Sequence, residues 1–255
     1  MLQDIVGSAG GVTVTDGICR FGSRTEEIMC GIVGYNGARP VTDFLLDALE
    51  LLEYRGYDSA GLATINAETG RTKLRKCAGR VADLRKVCEN DKKQATCGIG
   101  HTRWATHGGV SDENAHPHRQ GNVLLVHNGI VENYEELRDH FMLSKDLKSE
   151  TDTEVVAGVL NRYYDGDPHK AIAQTVKHLK GTFALVIIFD DIPDVIYAIR
   201  NVSPIVAART EDGTMLASDV AALGSHATEY MVVPEYQIVE LHKEGQRAED
   251  RVFGD

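Results

Sequence analysis

The chain has 255 residues, a hydrophobic content of 42%, a charged content of 25% and a formal net charge of −11. These values are typical of a folded protein with a sizeable core, and the acidic balance argues against a nucleic-acid or anionic-membrane partner, because either needs clustered lysine and arginine. No apolar run approaches the roughly 20 residues that span a bilayer, and the first residues lack the basic and apolar regions of a secretory signal.

The first 29 residues contain little material for a core: a glycine-rich run at residues 7–11 is followed by an alternating Val-Thr stretch at residues 12–15. Three interpretations compete, namely a misassigned start upstream of Met29, a removable leader and a genuine extra hairpin. We favour the misassigned start, with the leader second, because removal of an initiator methionine at position 29 would expose Cys30.

From Cys30 onward the hydrophobic pattern predicts strands and helices in one domain. Apolar residues at helical spacing and capping signals predict helices over residues 42–54, 81–88, 133–141, 151–164 and 169–179. Apolar runs bounded by breakers predict strands over residues 30–35, 62–65, 73–77, 123–126, 182–189, 195–200, 205–208, 215–217 and 237–241, and a further strand from residue 96 leads into a polar loop. Strands at both ends with helices between them indicate an α+β or layered α/β/β/α domain.

Three local signals refine these elements. Asn133 with Glu136, and Thr151 with Glu154, have the spacing of capping boxes. The Asn-Gly pair at residues 128–129 is typical of a turn, which predicts that the preceding strand ends there.

Cys30 is the candidate nucleophile. If the working chain began at Cys30, one residue would supply both a thiol and an α-amine. The amine has a pKa of about 7.7–8.0 and could take the proton of a thiol with a pKa of about 8.5. The alternative is that Cys30 is a small buried apolar residue in a first strand.

The other cysteines and the histidines give no metal pattern. The five cysteines form an odd, widely spaced set without a C-x-x-C pair, which predicts reduced thiols and a cytoplasmic location. The spacing of several histidines fits no common zinc site, so we expect no metal and no other cofactor; these are His101, His107, His116, His118 and His127. A Cys–His pair stays possible, although an α-amine makes it unnecessary.

Several polar residues have two interpretations on the sequence alone. Asn128 and Gly129 could form a plain turn or donate hydrogen bonds to an oxyanion. Arg103 could be a solvated loop charge or pair with a carboxylate through its planar guanidinium. Asp152 could stabilise the helix macrodipole or bind an ammonium group.

Six ordered motifs then carry a family resemblance: CGIVGY at residues 30–35, EYRGYDSAGLA at 53–63, GIGHTRWATHG at 98–108, NAHPH at 114–118, VHNGIVENYEELR at 126–138 and SETDTEV at 149–155. The chain resembles the glutaminase domain of the glutamine–fructose-6-phosphate aminotransferase family, within the N-terminal-nucleophile class of glutamine amidotransferases. The resemblance runs from Cys30 to about Asp255 and implies a four-layer α/β/β/α sandwich of two antiparallel sheets between helix layers. It makes residues 30–255 a type 2 glutamine amidotransferase domain and residues 1–29 an extension.

The resemblance also implies a reaction, the hydrolysis of L-glutamine to glutamate and ammonia through a thioester on Cys30. It assigns the oxyanion hole to the Asn128 side chain and the Gly129 backbone N–H, and it places Arg55 near the nucleophile, where its charge favours the thiolate. The implied glutamine-binding residues are Arg103 for the α-carboxylate and Asp152 for the α-ammonium, with Trp104, Thr106 and His107 in the same loop as Arg103.

Two departures from the family pattern keep alternatives open. Residues precede Cys30, and the two sugar-phosphate isomerase domains of the family do not follow it. We therefore expect isomerase domains as partners in cis or in trans, with ammonia destined for fructose 6-phosphate and any oligomer formed through those domains. The alternatives are a catalytically silent glutamine-binding or regulatory module, if the extension stays attached, and the glutaminase domain of another class II amidotransferase.

Overall fold

The structure is a computed structural model that describes residues 30–66, 68–91, 95–105 and 108–251, together with two short strands nearer the N-terminus. The strands are β1 (Thr13–Thr15), β2 (Ile18–Arg20), β3 (Gly31–Gly37), β4 (Ser59–Ile65), β5 (Thr72–Ala78), β6 (Cys97–Arg103), β7 (His118–Gln120), β8 (Val123–Val131), β9 (Gly181–Phe189), β10 (Ile192–Asn201), β11 (Val206–Thr210), β12 (Gly213–Ala217), β13 (Glu229–Val232), β14 (Gln237–His242) and β15 (Gly245–Arg251). The helices are α1 (Val41–Glu50), α2 (Val81–Val87), α3 (Tyr134–His140), α4 (Asp152–Tyr163) and α5 (Pro168–Val176).

Two antiparallel sheets form the centre of the domain. The seven-stranded sheet has the order β13-β11-β12-β3-β6-β4-β5, and the six-stranded sheet has the order β15-β14-β10-β9-β8-β7. The α+β prediction with two antiparallel sheets is therefore confirmed.

Three hydrophobic clusters separate four layers. One cluster joins α1 and α2 to the outer face of the seven-stranded sheet, and another joins α3, α4 and α5 to the outer face of the six-stranded sheet. The third cluster fills the space between the two sheets. In β9 the odd-numbered residues from Phe183 to Phe189 face the helices, while Ala184, Val186 and Ile188 face the other sheet. Burial on both faces explains why this strand is a continuous apolar run in the sequence.

The strand register brings distant parts of the chain to one end of the sandwich. Gly31, the first residue of β3, is paired with Thr102 on β6, and Arg103 at the end of β6 is paired with Ser59 on β4. A Cβ atom on Gly31 would lie 2.6 Å from the Thr102 hydroxyl oxygen, so glycine permits this close pairing. The start of β3 therefore lies beside the loop that follows β6.

The turn predicted at Asn128 and Gly129 is wrong. Both residues lie inside β8, where they are paired with Ala184 and Phe183 on β9. The ladder continues to the pair between Val131 and Gly181. Pairing along a long central strand outweighs the local turn preference of Asn-Gly. Gly129 has a φ of +129° within this strand, a backbone conformation that glycine adopts readily.

Of the two predicted capping boxes, one forms by half and the other does not form. The Thr151 hydroxyl caps α4 by accepting from the backbone N–H of Glu154 at 3.2 Å. The Glu154 carboxylate accepts from two preceding backbone N–H groups instead of that of Thr151. Asn133 precedes α3 but makes no side-chain cap, because its amide bonds to the backbone of His178 and of Lys180 before β9.

Other differences from the prediction lie at element ends and sheet edges. The first long helix ends at Glu50, and a short 3₁₀ turn over Glu53–Arg55 follows it. Three strands were not predicted, namely β7, β13 and β15. Each of them is at the edge of a sheet, where a strand pairs with a neighbour on one side only.

Within residues 1–29 the structure describes only β1 and β2, which pair with each other in a separate two-stranded sheet. The hairpin was one of the three interpretations of this segment, and the preference for a misassigned start stays a prediction. Among the described residues, no helix combines the length and the apolar character needed to cross a bilayer.

Candidate active site

Cys30 precedes β3 and contacts the backbone of Trp104. The Trp104 N–H donates to the Cys30 Sγ at 3.2 Å, and the thiol faces the Trp104 carbonyl oxygen at 3.6 Å. Burial raises the pKa of the Cys30 thiol, while the Trp104 backbone hydrogen bond and the charge of Arg103 lower it. Of the four cysteines Cys30, Cys77, Cys88 and Cys97, only Cys30 is not buried.

Asn128 reaches Cys30 from the other sheet. Its side-chain Nδ2 donates to the Cys30 carbonyl oxygen at 3.2 Å, and its Oδ1 lies 2.9 Å from Nε2 of His101. Only 1% of Asn128 is exposed. The amide donor is therefore held at the residue predicted to be the nucleophile.

Gly129 follows Asn128 and admits no side chain. With its φ of +129°, a Cβ atom would lie under 3.0 Å from the backbone of Thr182 and Phe183. The close approach of β9 therefore requires glycine, next to the residue whose amide faces Cys30.

The loop after β6 is anchored by Asp58 and Gly56. The Asp58 carboxylate accepts from the backbone N–H of Ala105 and lies 3.8 Å from the Arg103 guanidinium. A Cβ atom on Gly56, whose φ is +103°, would lie 2.7 Å from the indole of Trp104. The indole is thus packed directly on the Gly56 backbone, although Trp104 is 40% exposed.

Arg103 points inward from this loop. Its side chain is 3% exposed and donates to the carbonyl oxygens of Gly109 at 3.1 Å and Gly108 at 3.3 Å. The guanidinium therefore holds the far end of the loop in place. Thr106 and His107, which were predicted to line the same loop, lie outside the described residues.

Arg55 lies near the nucleophile and forms an ion pair. Its Nη1 is 3.4 Å from the Asp219 carboxylate, which also accepts from the Tyr54 hydroxyl at 2.9 Å. Its positive charge lowers the pKa of Cys30, by less than burial raises it.

Asp152 is the first residue of α4 and is buried. Its carboxylate accepts from the Val131 backbone N–H at 2.9 Å, and it lies 3.9 Å from Nδ1 of His127. The neighbouring Thr153 hydroxyl contacts Nε2 of His116 at 2.8 Å and Nδ1 of His127 at 3.0 Å. Side chains therefore join the start of α4 to the end of β8, where Asn128 lies.

The structure thus brings together most of the predicted site residues at one end of the sandwich, in two groups. The group around the thiol contains Cys30, Asn128, Arg103, Trp104 and Arg55, and Gly129 leads from it along β8 to the second group around Asp152. Sequence reasoning gave no role to Asp58 or to His101. A signal was present, since each lies inside a quoted motif, but their partners are 47 and 27 residues away.

No metal arrangement occurs in this part of the chain. Within the described ranges, no three His, Cys, Asp or Glu side chains are arranged to hold a metal ion. The nearby imidazoles pack against one another instead, with ring centroids 4.2 Å apart for His101 and His116 and 4.7 Å apart for His116 and His118.

The sequence is similar to a group of bacterial enzymes. Residues 101–225 match the family described as "Glutamine amidotransferase domain". The chain is 42% identical over 221 residues to glutamine–fructose-6-phosphate aminotransferase (isomerizing) of Clostridium acetobutylicum, and 46% identical over 220 residues to the protein of that name in Symbiobacterium thermophilum. Each alignment covers 85% of this chain and 36% of the relative, so the chain spans about a third of the length of these relatives.

Solved structures share the fold. Glutamine phosphoribosylpyrophosphate amidotransferase from B. subtilis superposes with a TM-score of 0.76 at 23% identity, over 89% of this chain and 50% of that one. A glutamine aminotransferase class-II domain protein from Silicibacter pomeroyi superposes with a TM-score of 0.60 at 15% identity, over 87% of this chain and 99% of that one. The solved structures show the shared fold, and the family match together with the 42–46% identity to the curated relatives shows that the chain carries a domain of the glutamine amidotransferase family.

Proposed function

We propose that residues 30–255 form a glutaminase domain in which Cys30 hydrolyses the side-chain amide of L-glutamine to glutamate and ammonia. The observation that carries this proposal is the contact of Asn128 Nδ2 with the Cys30 carbonyl oxygen at 3.2 Å, next to the sterically constrained Gly129. An amide donor is thereby fixed beside a half-buried thiol, as acyl transfer through an oxyanion requires.

The base in this mechanism is the α-amine of Cys30. Burial raises the pKa of the thiol, so the thiol is protonated at rest and attack needs a proton acceptor. An α-amine with a pKa of about 7.7–8.0 provides one near neutral pH, provided that no residue precedes Cys30. The amine takes the thiol proton as the sulfur attacks the amide carbon, and it then passes this proton to the departing nitrogen. Ammonia is released, and a thioester between Cys30 and the glutamyl group remains. Water hydrolyses this thioester to glutamate.

The oxyanion of this intermediate would bind to the Asn128 side chain and to the Gly129 N–H. Donors of this kind contribute about 10²–10³-fold to the rate. Arg55 would add positive charge near the thiolate, consistent with its effect on the pKa of Cys30.

Glutamine would be held by the loop after β6 and by α4. Arg103 would exchange its bonds to loop carbonyl oxygens for a bidentate pair with the α-carboxylate. Asp152, whose carboxylate is fixed by the Val131 N–H, would receive the α-ammonium. Trp104, Thr106 and His107 would complete the site.

The acceptor for ammonia is fructose 6-phosphate in this proposal, because the curated relatives carry that name at 42–46% identity. The remaining part of such relatives would supply the sugar-phosphate isomerase domains, in cis or in trans, and with them any oligomer. Another class II amidotransferase acceptor has weaker support, since the glutamine phosphoribosylpyrophosphate amidotransferase matches at only 23% identity. If residues 1–29 stay attached to the N-terminal side of Cys30, the alternative applies that the domain binds glutamine without turnover.

Glutamate release by two forms of the protein tests the proposal. A form that begins at Cys30 should hydrolyse glutamine, and the 255-residue chain should not, because its Cys30 nitrogen is an amide. Cys30→Ala should abolish turnover in the active form, whereas Cys77→Ala, at a buried cysteine in β5, should retain it. Turnover in Cys30→Ala would exclude the nucleophile, and equal turnover in the 255-residue chain would exclude the amine as base. Formation of glucosamine 6-phosphate by the complete gene product, with fructose 6-phosphate supplied, tests the acceptor.

A further inference from the structure

The fully buried ring of His101 connects the two sheets at the candidate active site. His101 lies on β6 of the seven-stranded sheet, and its Nε2 lies 2.9 Å from Oδ1 of Asn128 and 3.1 Å from the His127 carbonyl oxygen, both on β8 of the other sheet. A carbonyl oxygen can only accept a hydrogen bond. Nε2 of His101 therefore carries a hydrogen and donates it toward both oxygens.

This donor decides which way the Asn128 amide points. With Oδ1 toward the His101 N–H, Nδ2 faces the Cys30 carbonyl oxygen and donates to it at 3.2 Å. A flipped amide would set its NH₂ group against the His101 N–H and its oxygen against the Cys30 carbonyl oxygen. Both contacts would be repulsive, the one with His101 in a buried place and the one with Cys30 in a part-buried place, so only one orientation is stable.

We propose that His101 is a positioning residue for glutamine hydrolysis: it holds the Asn128 amide with its N–H groups toward Cys30, ready to donate to the oxyanion. The inference rests on the proposed function and adds a residue to it. His101 has no contact with the reacting atoms in this role and acts only through Asn128.

The surroundings of His101 keep the required tautomer. Burial lowers the pKa of His101 to about 3, so the ring is neutral and has a single hydrogen. Its Nδ1 is buried and has no hydrogen-bond partner in the described part of the chain, and the neighbouring ring of His116 lies 4.2 Å away between centroids. With acceptors on the Nε2 side alone, the hydrogen stays on Nε2.

Two substitutions of similar size separate the donor from the ring. In the form that begins at Cys30, His101→Gln keeps an N–H group close to the position of Nε2, whereas His101→Asn cannot reach it. We expect His101→Asn to lower kcat by about 10–100-fold, part of the full effect of an oxyanion donor, with KM changed by less than about threefold. His101→Gln should restore most of kcat. His178→Asn, which removes a half-buried imidazole that bonds to Tyr163 away from the site, is the matched control and should leave kcat unchanged.

A double variant tests whether His101 acts through Asn128. Because Asn128→Ala removes the group that His101 orients, His101→Asn should cost less than about twofold in kcat in that background. An equal loss in both backgrounds, or no loss in either, would overturn the positioning role. A parent protein that releases no glutamate, or an Asn128→Ala variant as active as the parent, would instead overturn the proposed function.

The tautomer of His101 can also be measured directly in the parent protein, without an activity assay and without any substitution. In ¹⁵N spectra of histidine-labelled parent protein, His101 should show a protonated Nε2 and an unprotonated Nδ1 at neutral pH. A hydrogen on Nδ1 alone would contradict the inference.

Discussion

Lowering the pH from 7.5 to 5.5 should destabilise this domain through histidines that it buries without charge. His101, His116 and His118 are 0%, 5% and 2% exposed. Burial lowers the pKa of His101 to about 3 and holds the pKa values of His116 and His118 well below the ordinary value. The unfolded chain releases these rings into water, where histidine has a pKa of about 6.5.

The sign follows from which state binds protons. Because the pKa values of these three histidines are lowered in the folded state, the unfolded state binds protons at pH values where the folded state does not. The stabilisation is complete above about pH 6.5 and is lost as the pH falls toward the folded-state values. At pH 5.5 each unfolded histidine is about 90% protonated, which costs about 1.4 kcal/mol of folding free energy per ring, or about 4 kcal/mol for three. That is a large part of the 5–15 kcal/mol by which domains are usually stable.

Urea unfolding at pH 7.5, 6.5 and 5.5, followed by far-UV circular dichroism, measures the effect. Carboxylates contribute little in this window, because their unfolded-state pKa values of about 3.9–4.3 lie below it. His118→Asn should reduce the loss of unfolding free energy between pH 7.5 and 5.5 by about a third, relative to His226→Asn, a variant at an exposed position. A change of less than about 1 kcal/mol across the window, with the urea dependence constant, would refute the assignment of three neutral buried rings.

Three further outcomes follow from the geometry around the site. In Gly129→Ala, at a φ of +129°, the new Cβ would collide with the Thr182 carbonyl oxygen. This variant should lower the unfolding free energy by at least about 2 kcal/mol and abolish glutamate release. Wild-type stability in a urea titration would contradict the packing of β8 on β9. Gly56→Ala should displace the indole of Trp104, the only tryptophan in the chain, and an unchanged fluorescence emission maximum would show that the two do not pack together. In the 255-residue chain, alkylation of Cys30 by iodoacetamide, followed by mass spectrometry of its peptide, should have a midpoint above the ordinary thiol pKa of about 8.5, because burial raises the pKa of this thiol. A midpoint below pH 8 would contradict that environment.

Periodicity predicted the elements whose burial is regular. The strand at residues 182–189 and the helix beginning after Thr151 were recovered because one is buried on both faces and the other has a capping hydroxyl. The Asn-Gly pair at residues 128–129 was misread because a turn preference is local, whereas pairing with β9 extends over nine residues of β8.

The sequence allowed us to name candidate site residues, but it did not predict which of their atoms are in contact. Cys30 was selected from its position after Met29, Asn128 was assigned from a resemblance that spans several motifs, and the structure places their atoms together. The roles of Asp58 and His101 were not visible, because each depends on a partner that only the folded register supplies. Buried polar networks of this kind leave no periodic trace in a sequence, since their members come from different strands.

The buried histidines connect the stability of the domain to the geometry of its site. A proton on His116 would place a positive charge against the rings of His101 and His118. In the described structure, no carboxylate forms a hydrogen bond with any of these three rings. The cluster therefore stays neutral in the fold and accepts protons mainly by unfolding. The same neutrality leaves His101 with one hydrogen, and the His127 carbonyl oxygen keeps that hydrogen on the side of Asn128. The condition that makes the fold sensitive to acid is thus the condition that orients the amide beside Cys30.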